Sequence, residues 1–163
     1  MRREATVEVG RLLDEASAPL QLEVLSDWGG LDALITRPRI QKPGLALAGF
    51  VKHVYADRPQ VLGLTEIDYI MSVDEDQARI GLQKYAGRGL CCMILTRGLE
   101  PPDVLLEVAR EHQIPVLRSP LMSSSFISRL TRRLEELLSP RANVHGVLVD
   151  VLARRDVAGG VAD

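Results

Sequence analysis

Apolar residues recur at strand-like and helical intervals along this chain, and the pattern is clearest in its central third. Leu90 to Leu95 is an unbroken apolar run, which is typical of a strand covered on both faces of a sheet. A helix is predicted for Asp103 to His112, because apolar residues recur there on one face behind Pro101 and Pro102. Ile114 to Leu117 predicts a second strand. Together these segments predict a βαβ unit with parallel strands and a right-handed crossover.

Two longer helices are predicted on either side of this unit. Ser123 to Leu138 carries apolar residues on one face and arginine and glutamate on the other, which is typical of an amphipathic helix. A second helix is predicted from Ser72 to Tyr85, with Ser72 as its N-cap. Before it, Gln60 to Leu64 reads as a buried strand, and Thr65 is predicted to cap the segment that follows.

The first third of the chain is divided by glycine and proline into shorter segments. Thr6 to Ala16 is predicted as a helix. Two short strands are predicted at Leu20 to Leu25 and Leu31 to Thr36, with Gly29-Gly30 as the turn between them. Gly44 to Phe50 is predicted as a short apolar helix. The alternation of strands and helices along the chain predicts an α/β fold, with three α/β/α layers around a mainly parallel sheet.

Composition narrows the possible functions. The 163 residues are 46% hydrophobic and 26% charged, with a formal net charge of −2, so a folded domain is expected. Aromatic residues make up only 4%, and no basic stripe is present, which argues against nucleic-acid and membrane-surface partners. The first ten residues, MRREATVEVG, are not followed by the apolar segment of a signal peptide, so a cytoplasmic location is expected.

The two cysteines, Cys91 and Cys92, are neighbours in the sequence. On a strand their side chains would point to opposite faces, so they are not expected to share a metal ion. Burial in the core of a protein from a reducing compartment is the favoured interpretation, and redox chemistry is the alternative. No Cys/His cluster has the spacing of a zinc site, so no metal is expected.

A candidate anion site is predicted where one strand ends and the long helix begins. The loop Thr96 to Gly98 follows a predicted buried strand, and ligands collect at the carboxyl ends of such strands. Ser123 to Ser125 opens the long helix, whose backbone N–H groups and hydroxyls could hold an anion, with Arg97 or Arg118 adding charge. In the competing interpretation the serines cap the helix and the arginines are solvated or paired. The predicted site residues are Thr96, Arg97, Gly98, Ser123 and Ser124.

The chain has three histidines, and histidine can act as an acid or a base near neutral pH. His53 and His112 lie in polar surroundings and are predicted at the surface. His145 opens a further predicted strand, Val144 to Val151, and a histidine without a partner is more often structural than catalytic. The sequence contains no G-x-x-x-x-G-K-[ST], G-x-G-x-x-G or H-E-x-x-H motif.

Five stretches of the sequence carry a resemblance, and the order and spacing of the last three make it specific. They are PGLALAGF from Pro43, LGLTEIDYI from Leu62, ILTRGLEPPDVLLEVA from Ile94, IPVLRSPLMSSSFISRL from Ile114 and NVHGVLVDV from Asn143. From about Val7 to Val151, the chain resembles the N-terminal domain of the bacterial HPr kinase/phosphorylase family.

The resemblance implies an α/β N-terminal domain that is followed, in the family, by a P-loop kinase domain. The family uses ATP and magnesium to phosphorylate a serine of HPr, removes that phosphate by phosphorolysis, and assembles as a hexamer. Its catalytic histidine falls on His145 of this sequence. The resemblance further implies a domain at residues 1–139, with residues 140–163 as a linker and the first strand of a kinase domain.

The sequence departs from the family after Val151, where it reads LARRDVAGGVAD and contains no P-loop lysine and no magnesium ligands. Phosphoryl transfer depends on such groups, so we expect no enzyme activity and no cofactor in this chain alone, and no activity from His145. The expected role is assembly or regulation, within phosphotransferase-system signalling and carbon catabolite regulation. The expected partners are a second copy or a kinase domain, and HPr by resemblance only. The sequence leaves open whether the chain is a domain-only relative or part of a longer protein.

A different class of function is a free-standing sensor of a small anion or nucleotide. It would use the loop at Thr96 and the serines at Ser123. The fold type is similar to the nucleotide-binding N-terminal domains of the Mur ligases, which raises this possibility. An active kinase is not expected.

Overall fold

A computed structural model describes residues 5–139 of the chain, in which a four-stranded sheet separates two apolar layers. The strands, in chain order, are β1 (Val7–Glu8), β2 (Glu23–Val24), β3 (Leu34–Ile35), β4 (Gln60–Leu62), β5 (Met93–Leu95) and β6 (Val116–Arg118). The α-helices are α1 (Leu64–Ser72), α2 (Glu75–Ala86), α3 (Asp103–Glu111) and α4 (Ser123–Leu138). Three 3-10 helices lie at Val9–Leu13, Glu15–Leu20 and Gly44–Ala48.

The main sheet has the strand order β2-β6-β5-β4. Strands β4, β5 and β6 run parallel, with Val61 opposite Ile94 and Ile94 opposite Leu117. β2 pairs antiparallel with β6 at one edge, and β1 and β3 form a separate antiparallel pair. At the other edge, Gln41 forms an isolated parallel bridge with Gln60. The predicted α/β fold with a mainly parallel sheet is therefore confirmed.

Alternate residues of the parallel strands enter opposite apolar layers, as the pleat of a strand requires. One layer lies beneath α1, α2, α3 and the 3-10 helix Gly44–Ala48, and we call it the three-helix face. The other lies beneath α4 and the N-terminal 3-10 helices, and we call it the α4 face. Leu62 and Leu95 are buried in the three-helix face, while Val61 and Ile94 are buried in the α4 face. Helical segments therefore cover both faces of the sheet.

The segments with the strongest periodicity form as predicted. α4 has the predicted bounds, and Phe126, Leu130 and Leu134 are fully buried along its apolar side. The unit β5-α3-β6 is the predicted βαβ crossover, and the predicted strand at Ile114 to Leu117 becomes β6, Val116–Arg118. No helix within residues 5–139 has the length and apolar character needed to cross a membrane.

The predicted helix at Thr6 to Ala16 is wrong. Val7 instead pairs with Ile35 in a strand, and the next residues form two 3-10 helices. Asp14 separates those two helices, because its extended backbone ends the first and its carboxylate accepts a hydrogen bond from the Ser17 backbone N–H at 3.0 Å. Pro19 lies inside the second and cannot donate a backbone hydrogen bond.

The two short strands predicted on either side of Gly29-Gly30 exist in shortened form but do not pair with each other. β2 pairs with β6, and β3 pairs with β1. The chain does turn at Gly30, where φ is +107° and an added Cβ would lie 2.7 Å from the Gln113 carbonyl oxygen. The Trp28 indole N–H donates to the Ile114 carbonyl oxygen at 2.8 Å, so long-range contacts hold this turn.

Both predicted helix caps are displaced. The carboxylate of Asp74, rather than Ser72, caps α2 by accepting from the Gln77 backbone N–H at 3.0 Å. A carboxylate is favoured there, because it also interacts with the positive end of the helix. Ser72 is the last residue of α1, and its hydroxyl donates to the Tyr69 carbonyl oxygen. Thr65 lies inside α1, which begins one residue earlier.

Cys91 and Cys92 are both buried, which confirms their predicted place in the core. The prediction that they face opposite sides of a strand is wrong, because both precede β5 and both lie in the α4 face. A hydrogen bond with the Cys91 thiol, together with burial, raises the pKa of the Cys92 thiol. The raised pKa keeps Cys92 protonated at neutral pH, which disfavours the redox alternative.

Candidate functional site

The candidate site lies where the parallel strands β4 and β5 end. Gly63 follows β4 and Thr96 follows β5, and the helices α1 and α4 begin beside them. Residues 96–98 are held by backbone hydrogen bonds from Arg97 to the Leu121 carbonyl oxygen at 2.8 Å and from Gly98 to that of Ser119 at 3.0 Å. This is the edge of an α/β sheet at which ligands usually bind.

Two predicted site residues meet at this edge. The hydroxyls of Thr96 and Ser123 lie 2.7 Å apart, and Thr96 is fully buried. Ser123 is the first helical residue of α4 and Met122 is its N-cap, with no capping hydrogen bond from a side chain of residues 5–139. Ser123 therefore joins the start of α4 to the end of β5 rather than capping the helix.

An ion pair completes the site. The Glu66 side chain is only 6% exposed, and its Oε1 accepts from the Gly63 backbone N–H at 2.9 Å. The same oxygen lies 3.4 Å from Lys42 Nζ. A Cβ at Gly63 would lie 2.7 Å from Ser123 Oγ and 3.2 Å from Lys42 Nζ, so a glycine is needed for the hydroxyls and the ion pair to adjoin.

Glu66 changes what the edge can bind. A helix N-terminus and a lysine together favour an anion, and here the carboxylate of the chain itself takes that position. The polar groups at the ends of β4 and β5 are thus partnered within the chain.

Neither Lys42 nor Glu66 was predicted from the sequence as part of this site. A glutamate at the third helical position is the signal that would have identified Glu66, because that position commonly accepts from the N-cap backbone N–H. Lys42 carries no comparable local signal, since the fold brings it to α1 from a distant loop.

The remaining predicted site residues do not join this cluster. Arg118 is paired with Glu23 at 3.1 Å and Glu100 at 2.8 Å, and the hydrogen bonds to Glu23 and then Glu100 raise the pKa of its guanidinium. Arg118 therefore supplies no free charge, as the competing interpretation held. Arg97 and Ser124 are exposed, and Ser124 lines a separate groove along α4.

Both histidines within the described residues are at the surface, as predicted. His53 is exposed and lies in an edge-to-face arrangement with Phe50, with 6.2 Å between ring centroids. His112 is exposed, and its Nε2 lies 2.8 Å from Gln83 Oε1. Among residues 5–139, no three His, Cys, Asp or Glu side chains are grouped to hold a metal ion. His145 and the predicted strand Val144 to Val151 lie outside the described residues.

Comparison with known proteins decides the family. A family model described as HPr Serine kinase N terminus matches residues 7–134. This chain belongs to that family. The family match bears out the sequence resemblance and covers both sheet faces and the site around Gly63. It ends before His145, so the catalytic role carried over to that residue stays a prediction.

Curated HPr kinase/phosphorylases match this chain over only part of their own length. An HPr kinase/phosphorylase of Geobacter sulfurreducens is 48% identical over 141 residues, which cover 86% of this chain and 44% of that protein. One of Bacillus cereus strain 03BB102 is 38% identical over 131 residues, covering 80% of this chain and 42% of that protein. One of Bacillus mycoides is 37% identical over 131 residues, with the same coverage. The chain thus spans less than half the length of these relatives.

Proposed function

We propose that this chain acts as the assembly or regulatory domain of an HPr kinase/phosphorylase-type protein, in the cytoplasm, and does not transfer phosphate by itself. The family match over residues 7–134 is the observation that carries the proposal. A domain whose sheet is covered on both faces supports an independent folding unit. In this proposal ATP, magnesium, HPr and the acid–base role of His145 belong to the complete kinase.

The geometry of the site supports the absence of kinase chemistry in this domain. A polyphosphate needs a glycine-lined loop of backbone N–H groups and a lysine that is free to contact it. At the edge formed by Gly63 and Thr96, the lysine is paired with Glu66 and the hydroxyls of Thr96 and Ser123 contact each other.

The assembly role is tested by mixing the chain with the Geobacter sulfurreducens HPr kinase/phosphorylase. We expect analytical ultracentrifugation to show either self-association of the chain or its binding to the relative. We also expect bound chain to change the relative's rate of HPr serine phosphorylation. An unrelated domain of similar size is the control. A strict monomer that neither binds the relative nor changes its rate would contradict the proposal.

The second half of the proposal is tested with the chain alone. Incubation with labelled ATP, magnesium and HPr is expected to transfer no label to HPr, while the Geobacter sulfurreducens relative in a parallel reaction does. Clear serine phosphorylation by the chain alone would show that the proposal is wrong.

An anion or nucleotide sensor is the second candidate function, and it rests on the position of Thr96 and Ser123 at the edge where the parallel strands end. In this case the ligand must displace the contact between the two hydroxyls. Inorganic phosphate and ATP can be titrated while backbone amide NMR shifts are followed. Saturable shifts at residues 96–98 and at Ser123 and Ser124 are expected from a sensor. No shift at these positions would eliminate this candidate.

A further inference from the structure

The exposed side of α4 carries a basic surface. Two adjoining grooves, of about 410 and 310 Å³, share Arg129 and Arg132. The larger groove defines the basic surface, and it is lined by Ser124, Ser125, Ser128, Arg129 and Arg132. Its lining contains hydroxyls and guanidinium groups without a carboxylate, so it favours a negatively charged partner.

The positive charge of this surface is not neutralised within the described residues. Arg129 donates to the Pro19 carbonyl oxygen at 2.9 Å, and that acceptor is uncharged. Arg132 has no ion pair with any residue in 5–139. Arg133, one position further, differs because it is paired with Asp14 at 3.6 Å and Glu136 at 3.2 Å. Two uncompensated guanidinium groups therefore remain.

An acidic surface lies on the exposed side of α3. Its groove, of about 550 Å³, is lined by Leu25, Asp27, Trp28, Asp103, Leu106, Glu107, Arg110 and Glu111. Asp27 is paired with Arg110, and Glu107 is paired with Arg79. Asp103 and Glu111 have no ion pair among residues 5–139, and Glu111 accepts only from the Gln83 amide there. Two carboxylates are thus left uncompensated, against two guanidinium groups on α4.

The two surfaces cannot satisfy each other within one molecule. α3 packs in the three-helix face and α4 in the α4 face, so the sheet lies between them. We propose that the basic surface on α4 of one copy docks onto the acidic surface on α3 of a second copy. The inference rests on the proposed assembly role and names its partner.

A contact between two different surfaces of identical chains is heterologous. It builds a ring or an open chain, whereas a two-fold contact stops at a dimer. Exposed ion pairs contribute little individually, so the association is weak and salt-sensitive. The electrostatic screening length of the solution falls from about 30 Å at 0.01 M salt to about 3 Å at 1 M.

Sedimentation of the full chain over a concentration series, at low and high salt, tests the contact. We expect association at low salt that weakens in 1 M salt. Arg129→Glu with Arg132→Glu reverses the basic surface, and Asp103→Lys with Glu111→Lys reverses the acidic one. Each double variant alone is expected to lower the association constant about tenfold or more. Thermal unfolding of each variant verifies that it is folded.

Mixing the two double variants is the decisive measurement. Their reversed surfaces are complementary again, so the mixture is expected to regain the low-salt association of the unaltered chain. Matched controls change the same charge elsewhere on the exposed surface. They are Arg39→Glu with Arg88→Glu and Glu8→Lys with Asp32→Lys, and these double variants are expected to associate as the unaltered chain does.

The outcomes separate this inference from the proposed function. Association that persists in 1 M salt and in both reversal variants would overturn the charged contact and leave the assembly role standing. Loss of association in the control double variants as large as that in the reversal variants would also overturn it, because bulk charge would then account for the effect. A chain that is monomeric in all conditions overturns the contact, and only a failure to bind the full-length relative as well would overturn the assembly role.

Discussion

The three-helix face and the α4 face of the sheet are buried by different kinds of structure. On the first, α2 and α3 place Leu82, Tyr85, Leu105 and Val108 against the strands. On the second, α4 packs together with the 3-10 segments at residues 9–20 and with Val7 and Ile35 of the β1–β3 pair. The helices need only a local apolar period to bury their side chains, whereas the 3-10 segments depend on long-range contacts.

Hydrogen bonds from polar side chains hold the 3-10 segments at residues 9–20 in place. The buried Ser119 hydroxyl donates to the Leu20 carbonyl oxygen at 2.8 Å. From α4, Arg129 donates to the Pro19 carbonyl oxygen at 2.9 Å, and Arg133 Nε donates to the Ser17 hydroxyl at 2.8 Å. The α4 face is therefore expected to combine one strongly anchored helix with a segment that opens more easily.

Phe126→Ala is expected to have the largest effect, because Phe126 is fully buried beneath α4. Loss of the ring is expected to lower the free energy of unfolding by about 3–5 kcal/mol. Its half-buried neighbour Ile127 is the control, and Ile127→Ala is expected to cost less than about 2 kcal/mol. If urea denaturation gave the same loss of unfolding free energy for both variants, α4 would not anchor this face.

Gly81→Ala tests how closely α2 packs on the three-helix face. A Cβ there would lie 2.1 Å from the Leu47 carbonyl oxygen, so α2 and the 3-10 helix Gly44–Ala48 must separate. We expect a loss of about 2–3 kcal/mol, although alanine is the better helix former. Gly29→Ala is the control, since its Cβ meets nothing within 4 Å and is expected to be neutral. A stabilised Gly81→Ala would contradict the close packing.

Ser119→Ala distinguishes the two faces directly. It removes the bond to the Leu20 carbonyl oxygen and leaves the Leu121 N–H without the hydroxyl that it contacts at 3.2 Å. We expect a loss of about 1–2 kcal/mol. Hydrogen exchange is expected to rise at residues 9–20 and to stay unchanged in α2 and α3. The exposed Ser128 provides the control substitution, Ser128→Ala. A uniform rise in exchange would mean that the two faces open together.

The smallest effect concerns pH and Asp14. Partial desolvation acts to raise the pKa of this carboxyl, but hydrogen bonds from Arg11 and Ser17 and the charge of Arg133 together lower it below 3.8. A carboxyl whose pKa is lower in the folded state stabilises the fold above its unfolded pKa. That stabilisation is lost as the pH falls through the folded pKa.

We therefore expect the free energy of unfolding to decline at acidic pH. Asp14 accounts for a small part of that decline, and Asp14→Asn is expected to remove this part. Chemical denaturation between about pH 6 and 2 would measure the difference. Asp32→Asn is the matched control at an exposed aspartate, and it is expected to keep the decline of the unaltered chain. An Asp14→Asn variant with the same acid dependence as the unaltered chain would contradict the assignment.

Sequence periodicity predicted the regular half of the fold, and it did so because the information is local. The bounds of α4 follow from Ser123 to Leu138 alone, and the crossover β5-α3-β6 follows from two apolar runs around an amphipathic segment. The N-terminal third was predicted poorly, since Val7 forms a strand only because Ile35 is brought beside it. Its 3-10 helices likewise depend on partners far away in the chain.

The candidate site shows the same division. Thr96 and Ser123 were predicted from their places at the end of a strand and the start of a helix, and the fold does bring their hydroxyls together. Lys42 could not be predicted, because its ion pair with Glu66 depends on the packing of a loop against α1. Arg118 was placed at the correct edge, but its ion pair with Glu23 depends on the pairing of β2 with β6, which was not predicted.

The borders of the sheet limit how molecules of this kind can join. The strand at one border, Glu23–Val24, has only two residues, so it offers few free peptide groups to an incoming strand. At the opposite border, Gln41 already accepts from the Val61 backbone N–H at 2.8 Å and donates to the Pro59 carbonyl oxygen at 2.9 Å. Lateral growth by strand addition, the route to fibrils, is thereby discouraged, and neighbouring molecules are left to meet through side chains.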